Sequence, residues 1–533
     1  MRAVVTAPQP EAVEAGVDVL ADGGNAVDAA VATAFVQTVV DPLMCGIAGF
    51  GTAQVMMADG RHRMVDFHGR APMAVKPDQW EHLIERQSED GFGFILKGFV
   101  NELGYGSITT PCTLAALAHL AEAYGSRPLS ELMAPAIAHA EEGVIVRPHM
   151  VAYWSDVPTA GRAPHHLHIS QVPATAEVFM TRGRSPAVGE RLENPDMART
   201  LRRIAAAGPR DFYEGEIAAE IVADMAREGG LIAAEDLAAV APDEVAPLEG
   251  SYRGLRVTTN RPPGGGVMIL EMLNILEQFD LAAMGHNSVD YVATVAEAMK
   301  IATVDKDTKL GDPRFVDVPV ETLISKDYAA EMAARIRRGE MTHVPRLAGS
   351  PQPAKDTTHL CSVDPAGNIV SMTHSIGMPS GVITRGLGFM YNGCMGVFDP
   401  RPGRPGSLAP GKSRFTAMCP TILHDEQGPM AAIGSPGGTF ITMSVLQGIL
   451  NMVDFGMSAA EAVAAPRFCV TSDTIEMTNR VLRRTEAGLR ARGYPTRRLA
   501  TSYGFGGVHA IRRTADGWQG GADPGRDGMA AGF

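Results

Sequence analysis

The stretch KDTTHLCSV at residues 355–363 is the feature of this chain that most constrains its fold and its chemistry. Two adjacent threonines, Thr357 and Thr358, open an apolar, strand-forming run far from either end of the chain. The run follows residues 339–356, a stretch with three prolines that is typical of an irregular, exposed connection. β-branched residues also begin ordinary strands, so the run alone leaves a purely structural interpretation open.

The residues after Thr357 predict a β-hairpin that carries a second hydroxyl group. A strong turn signal, DPAGN, begins at Asp364 and separates two strand-forming runs. If Asp364 pairs with Ile369, Thr357 lies opposite Ile376 and has Ser375 as a diagonal neighbour. A single bulge would change this register. The hairpin is therefore expected to bring Ser375 beside Thr357.

A threonine hydroxyl is a weak nucleophile and needs a neighbouring base. The α-amino group of the same residue can be that base, because it titrates near about 7.7 to 8.0, but only when the residue is N-terminal. The pattern therefore predicts cleavage of the Asp356-Thr357 bond by attack of the hydroxyl on the preceding carbonyl. Without cleavage Thr357 has only an amide, and the chain would be a non-catalytic protein.

A second motif, GSPGG at residues 434–438, lies between a predicted strand and an apolar helix. Glycines at such a junction expose backbone N–H groups, which can form an oxyanion hole. The same groups could bind a phosphate or only permit a tight turn. The absence of a following GK[ST] weakens the phosphate interpretation.

Composition limits the partners and the location of the chain. At 533 residues it is long enough for two domains or one large layered domain. Its 47 Lys and Arg residues against 60 Asp and Glu residues give a net charge of −13, which argues against a nucleic-acid partner. Six scattered cysteines without a CxxC pair favour a reducing compartment, and neither a secretory signal nor a membrane span is evident. We therefore expect a cytoplasmic protein.

One histidine cluster, formed by His165, His166 and His168, is a possible metal site. The cluster has no acidic companion at helical spacing, so a solvated loop is the expected structure. No metal ion and no cofactor are therefore predicted.

Periodicity predicts mainly helices before Thr357 and mainly strands after it. Residues 11–40 are typical of two helices, the second capped by Asn25 and well buried. Alternating residues around a turn at Asp59-Gly60 predict a hairpin. After Thr357, strands are expected at 357–364, 369–376, 388–393, 418–424, 429–434 and 505–512, with helices at 440–453 and 458–464.

Taken in order, these motifs resemble those of the γ-glutamyltranspeptidase family of N-terminal-nucleophile hydrolases. The similar stretches are GGNAVDAAVA at 23–32, YGSRPLSELMAPAIAHAEEGVIV, NPDMARTLRRIAAAG with the following FYEG, YRG before RPPGGG, DTTH, GSPGG and APRF. They extend over nearly the whole chain. Each stretch alone is weak evidence, but the ordered set is highly specific.

The resemblance implies an α+β fold, a four-layer αββα sandwich formed jointly by two fragments of one chain. Self-cleavage would give a mostly helical large fragment, residues 1–356, and a β-rich small fragment, residues 357–533. The two fragments would remain together as a heterodimer, and a higher oligomer is left open. The resemblance implies no cofactor.

The same resemblance implies roles for individual residues. Thr357 would be the nucleophile, and Ser375, where the family usually has a second threonine, would orient the new amine. Gly437 and Gly438 would form the oxyanion hole. The substrate would be a small-molecule amide, with glutathione metabolism as the family's setting.

The departures from the family pattern fall on residues that bind the substrate's α-carboxylate. Family members that take γ-glutamyl groups use an arginine in a GRETAP-like stretch, where this chain has His68, with Arg70 two residues further on. A serine pair of the family is replaced by Thr416-Ala417. We predict that His68, Arg70 and Thr416 contribute to substrate binding. Arg70 could anchor an acidic acyl chain, although an exposed structural arginine fits equally well.

The positions that bind the substrate's α-amino group in the family also differ. They align with Gly377, Cys394 and Val397, and Asp399 lies near them but is displaced. Asp399 is therefore a further candidate for substrate binding. Residues 399–414 resemble the family's lid loop, although an ordinary surface loop fits equally well.

The leading hypothesis is a self-processing threonine amide hydrolase or acyltransferase that forms an ester on Thr357 and passes the acyl group to water or an amine. One alternative is an acylase or amidase for a non-glutamyl acyl group. Others are an unprocessed, non-catalytic protein and a nucleotide-binding protein that uses the glycine-rich stretches.

Overall fold

Two antiparallel β-sheets form the centre of the molecule. The computed structural model describes residues 1–88, 93–155, 161–345, 357–500 and 505–533. The strands, in chain order, are β1 (Val4–Ala7), β2 (Phe50–Met56), β3 (His62–Phe67), β4 (Ile84–Gln87), β5 (Phe94–Leu96), β6 (Val144–Ile145), β7 (Arg191–Leu192), β8 (Asp243–Val245), β9 (Leu248–Tyr252), β10 (Leu255–Thr259), β11 (Thr358–Val363), β12 (Ile369–Ser375), β13 (Thr421–Asp425), β14 (Gly428–Gly434), β15 (Phe468–Cys469), β16 (Ile475–Met477), β17 (Thr496–Arg498), β18 (His509–Thr514), β19 (Gly517–Ala522) and β20 (Met529–Gly532).

The helices lie outside the two sheets, and some of them pack directly on a sheet. They are α1 (Pro10–Ala21), α2 (Ala26–Val40), α3 (Thr113–Tyr124), α4 (Leu129–Glu142), α5 (Pro148–Ser155), α6 (Leu167–Ser170), α7 (Pro173–Phe179), α8 (Pro195–Ala207), α9 (Asp211–Glu214), α10 (Glu216–Glu228), α11 (Ala234–Ala238), α12 (Gly266–Leu276), α13 (Leu281–Met284), α14 (Val289–Lys309), α15 (Val320–Leu323), α16 (Lys326–Arg337), α17 (Ile441–Val453), α18 (Ala459–Ala464) and α19 (Arg483–Ala491). In the part of the chain that the structure describes, no helix is both long enough and apolar enough to cross a membrane.

The layering follows from which faces of the strands are apolar. The first sheet has the strand order β20-β1-β11-β12-β2-β3-β8, and the second has the order β19-β18-β14-β13-β10-β9. Apolar residues of both sheets meet between them, namely Val4, Cys361, Val363, Ile369, Ile422, Ala432 and Ile511. Helices α1, α2 and α3 pack on the outer face of the first sheet, with α4 against α2, and α12, α17 and α18 pack on the second sheet. This is the predicted four-layer αββα sandwich, and the prediction is confirmed.

Each sheet combines strands from both sides of Thr357. In the first sheet, β1, β2, β3 and β8 precede this residue, whereas β11, β12 and β20 follow it. In the second sheet, β9 and β10 precede it and the other four strands follow it. The two parts of the chain therefore share both sheets and both hydrophobic cores.

Most predicted elements occur with small changes in their bounds, but the strand expected at 388–393 does not exist. Pro379 and Asn392 form only an isolated bridge there. The run bends at Gly386 and Gly388, which have φ angles of 87° and 76°. The apolar side chains around Phe389 pack into the first core, so burial instead of strand pairing explains their hydrophobicity.

The prediction of a solvated loop at the histidine cluster is also wrong. His165 and His168 are 5% and 2% exposed, because residues 161–170 fold inward against Pro379. Burial lowers the pKa of His168 to about 3 and that of His165 to about 4. No group of three or more potential metal ligands occurs within the described ranges.

Candidate active site

Two hydroxyl groups face each other at the start of β11 and the end of β12. Thr357 Oγ1 donates to Ser375 Oγ at 3.2 Å, and both residues are buried. Ser375 Oγ also accepts a hydrogen bond from the backbone N–H of Gly377 at 2.8 Å. Arg526 Nη1 donates to the carbonyl oxygen of Thr357 at 3.3 Å, a contact that the sequence did not indicate. The pair of hydroxyls is thus held from several directions.

The hairpin register differs from the prediction by one residue. Val363 pairs with Ile369, and Thr358 pairs with His374, so Thr357 lies opposite Ser375 instead of Ile376. The cause is Asp364, whose carboxylate accepts hydrogen bonds from the N–H groups of Ala366 and Asn368 and so belongs to the turn. Ser375 is therefore the direct neighbour of Thr357 across the strands.

The glycine-rich turn lies beside this pair. Gly437 and Gly438 have φ angles of 136° and 57°, and a Cβ atom on Gly437 would lie 2.7 Å from Cα of Gly506. One 3₁₀ turn from Gly438 to Phe440 then leads into α17, where backbone N–H groups point away from the helix. Gly438 lines the same cavity as Thr357, whereas Gly437 precedes it outside the lining.

The cavity around Thr357 has mainly apolar walls. The apolar side chains that line it are those of Met378, Val397, Ala417, Met418 and Ile441. Thr416, one of the predicted binding residues, also lines it. Among the described residues of the lining there is no histidine, aspartate or glutamate.

Two arginines that the sequence interpretation missed line the cavity. Arg162 is paired with the buried Glu102 at 2.5 Å, so its charge is balanced within the protein. Arg414 is 6% exposed, lies over the ring of Phe50 at 4.3 Å, and donates from Nη1 to the carbonyl of Phe415 at 3.3 Å. Within the described ranges no carboxylate lies within 4 Å of this guanidinium. Burial lowers the pKa of Arg414 and makes its charge costly without an anion.

Three of the four predicted substrate-binding residues lie outside the cavity lining. Arg70 forms an ion pair with Asp243 at 2.7 Å, because β3 ends at Phe67 and the following residues leave the sheet. Asp399 accepts three hydrogen bonds from Arg401, one from its backbone N–H and two from its guanidinium.

His68 is buried, and burial together with the nearby Arg414 guanidinium lowers its pKa to about 4. Its Nε2 lies 3.6 Å from the carboxylate of Asp66. The sequence could have indicated Arg414 as a binding residue, because Arg414 lies two positions before the predicted binding residue Thr416.

The predicted lid segment, residues 399–414, is attached to its surroundings at its end. Lys412 accepts at its carbonyl from the N–H of Ala71 at 2.9 Å, and Ser413 donates its N–H to Asp312 at 2.8 Å. Arg414 is thereby held against the cavity. Opening of this segment as a lid stays a prediction.

Fold and site together define an enzyme of the N-terminal-nucleophile class, a self-processing amide hydrolase or acyltransferase. The model of the family described as gamma-glutamyltranspeptidase matches residues 12–533. The chain belongs to the γ-glutamyltranspeptidase family.

The similar proteins include both acylases and glutathione hydrolases. Acylase ACY 1 proenzyme from Pseudomonas sp. (strain V22) is 37% identical over 520 residues, with 97% of this chain and 90% of the relative covered. Glutathione hydrolase proenzyme from Pseudomonas sp. (strain A14) is 36% identical over 480 residues, with coverages of 87% and 80%. The crystal structure of cephalosporin acylase from Bacillus halodurans superimposes with a TM-score of 0.87 at 30% identity, covering 100% of this chain and 96% of that one.

Proposed function

We propose that the chain cleaves itself between Asp356 and Thr357 and then hydrolyses amides whose acyl group carries a distal carboxylate but no α-ammonium group. The observation that carries this proposal is the buried guanidinium of Arg414. It lines the same cavity as Thr357 and has no carboxylate partner among the described residues.

Self-cleavage is supported by the position of Thr357, whose buried hydroxyl lies against Ser375 at the start of β11. Asp356 lies outside the described residues, whereas Thr357 and the residues that follow it are described as far as residue 500. A threonine hydroxyl needs a neighbouring proton acceptor, and an N-terminal threonine can use its own α-amino group. A new α-amino group on Thr357 would be that acceptor at neutral pH.

The reaction then proceeds in two halves. The amine takes the proton of Thr357 Oγ1 while the oxygen attacks the amide carbonyl, and the oxyanion accepts hydrogen bonds from backbone N–H groups at Gly437 and Gly438. The C–N bond breaks, the amine product leaves with the proton, and the acyl group remains as an ester. Water repeats the attack and releases the acid. Ser375 holds the attacking oxygen in place.

Charge balance supports the choice of acyl group. A carboxylate beside Arg414 would neutralise a buried cation that the described residues leave without a counter-ion. A substrate ammonium group would enter the same cavity without any anionic side chain in its described lining, and burial of an unpaired charge is costly. The apolar walls suit the methylene groups between the two ends.

A second candidate is hydrolysis of γ-glutamyl compounds, including glutathione. It is supported by the 36% identity to a protein named glutathione hydrolase proenzyme. The two candidates differ in one group, because a glutaryl chain is a γ-glutamyl chain without its amine. A direct comparison of these two acyl groups therefore separates them.

The test uses three p-nitroanilides with glutaryl, γ-glutamyl and pentanoyl acyl groups. We expect kcat/KM to be about 10- to 100-fold higher for the glutaryl amide than for either other amide, since one charge-assisted contact is gained without an unpaired ammonium. Preference for the γ-glutamyl amide would favour glutathione-type chemistry instead. Preference for the pentanoyl amide would assign Arg414 no role in substrate binding.

We also propose that the enzyme works in the cytoplasm as a heterodimer of its two fragments. All six cysteines are buried thiols that take part in no disulfide bond among the described residues, which suits a reducing compartment. Both sheets contain strands from each fragment, which suits lasting association. Cell fractionation tests the location, and elution of both fragments in one peak from a gel-filtration column tests the association.

A further inference from the structure

A buried amide lies directly behind the nucleophile. All fifteen residues of α2 are buried, and Gln37 is 0% exposed among mainly apolar neighbours. Its Nε2 donates to Thr358 Oγ1 at 2.8 Å and to Gln9 Oε1 at 2.8 Å. Its Oε1 accepts from Nε2 of His374 at 2.9 Å. One side chain thus connects a helix to two neighbouring strands.

The two strand residues that Gln37 binds are register partners. Thr358 on β11 pairs with His374 on β12. Side chains alternate between the two faces of a strand, so Thr357 and Ser375, one residue further, point to the opposite face. Gln37 therefore ties the strands together from the helical layer, while the reacting hydroxyls face the second sheet.

A third contact orients the amide. Gln9 Nε2 donates to Oδ2 of Asp41 at 2.9 Å, so Gln9 turns its oxygen toward Gln37. Asp41 is 5% exposed, and His149 beside it keeps its pKa below the usual value despite burial, so the carboxylate stays an acceptor. The amide of Gln37 can then present only its nitrogen to Thr358.

We propose that Gln37 is a positioning residue that anchors Thr358 and so keeps the hydroxyl of Thr357 against Ser375. This inference rests on Thr357 as the nucleophile and is independent of the acyl group. After cleavage Thr357 would be the first residue of its chain, and chain ends fray unless side chains hold them. Contacts at Thr358 and at the carbonyl of Thr357 would replace the lost covalent restraint.

The main test is Gln37→Met, which keeps the side-chain volume and removes the hydrogen bonds. We expect kcat of the cleaved enzyme to fall about 10- to 100-fold with KM within about threefold, because a small misplacement of a nucleophile slows the chemical step. Labelling of Thr357 by a simple aliphatic β-lactone, followed by mass spectrometry, should slow by the same factor. This readout needs no acyl-specific contact, so it stays informative if the proposed substrate is wrong.

Gln54→Met is the matched control. Gln54 is also a fully buried amide on the first sheet, with Thr258 Oγ1 at 2.6 Å and Nε2 of His62 at 2.7 Å, but it lies away from the cavity. We expect this variant to lower the unfolding temperature and leave kcat and labelling unchanged. If Gln37→Met behaves in the same way, Gln37 is a structural residue only.

Changes at Thr358 keep the proposal testable if Gln37→Met does not fold. Thr358→Val should slow labelling as Gln37→Met does, whereas Thr358→Ser, which keeps the hydroxyl, should restore the rate. In the Thr358→Val background, Gln37→Met should add little, since the anchor is already lost. Full additivity of the two changes, or an unaffected Thr358→Val enzyme, would overturn the inference.

Discussion

The nucleophile strands and the acyl cavity meet at Thr357 but differ in how their polar groups are satisfied. On the strands, Thr357, Ser375 and Gly377 form hydrogen bonds with one another. In the cavity, Arg414 is buried without a carboxylate partner in the described ranges. The protein itself thus supplies the hydrogen bonds of the reacting groups. In the cavity, by contrast, the charge of Arg414 remains for a substrate to neutralise. Members of one family can then share a mechanism and differ in substrate.

The largest effect is expected from the strand side. Thr357→Ala removes the attacking oxygen, so both self-cleavage and turnover should be lost, with activity reduced by on the order of 10⁴-fold or more. Gel electrophoresis would show one band near 56 kDa, and product release would cease. Thr308→Ala, at an exposed threonine of α14, is the control and should be cleaved normally. Cleavage of the Thr357→Ala chain would identify another nucleophile.

The next effect belongs to the cavity side. Arg414→Met should lower kcat/KM for the glutaryl amide about 10- to 100-fold, because one charge-assisted contact is lost, and should leave self-cleavage intact. The pentanoyl amide should be hydrolysed at least as fast as before. Arg70→Met is the matched control, since Arg70 pairs with Asp243 outside the cavity lining. A larger loss of kcat/KM for the glutaryl amide in Arg70→Met than in Arg414→Met would show that Arg70, and not Arg414, binds the acyl carboxylate.

A smaller effect should come from the partner hydroxyl. Ser375→Ala leaves the nucleophile in place but removes its hydrogen-bond acceptor, so self-cleavage and turnover should both slow about 10-fold. Ser375→Thr should retain most of the rate, because it preserves the oxygen. Equal slowing with all three p-nitroanilides would show that Ser375 acts on chemistry. Slowing that depends on the acyl group would show that Ser375 contributes to recognition of that group.

The smallest effect concerns pH and stability. Burial lowers the pKa of His374 to about 3, against about 6.5 in an unfolded chain. Between these values the unfolded state binds one proton more, so the free energy of unfolding falls as pH drops from about 6 to 4, by about 1.4 kcal/mol per pH unit. His374→Asn should reduce that slope in urea titrations, whereas His82→Asn, at an exposed position, should not. An unchanged slope would show that His374 titrates alike in both states.

The local parts of the site could be predicted from sequence. Thr357, Ser375 and Gly438 lie in short motifs whose turn and strand signals place them within a few residues of their positions. The one-residue error in register arose because the carboxylate of Asp364 takes part in the turn, a choice between two similar local structures. The four-layer architecture was expected from the ordered set of motifs.

The cavity wall could not be predicted in the same way. Arg162 reaches the site only because residues 161–170 fold inward, and that packing depends on contacts with distant parts of the chain. Arg70 was a reasonable candidate by position, but β3 ends three residues earlier and Asp243 pairs with it. Long-range packing decides which of several arginines faces a cavity, and sequence spacing does not encode it.

The interleaving of strands from both sides of Thr357 has a consequence for how long the mature enzyme lasts. Once the bond is cut, recovery from denaturation becomes an encounter between two chains and depends on their concentration. Each chain alone would expose unpaired strand edges, which favour aggregation. The lifetime of the mature enzyme should therefore follow its unfolding rate instead of an equilibrium constant. Dilution before refolding should lower the recovered activity of the cleaved enzyme, whereas the uncut Thr357→Ala chain should regain its structure independently of concentration.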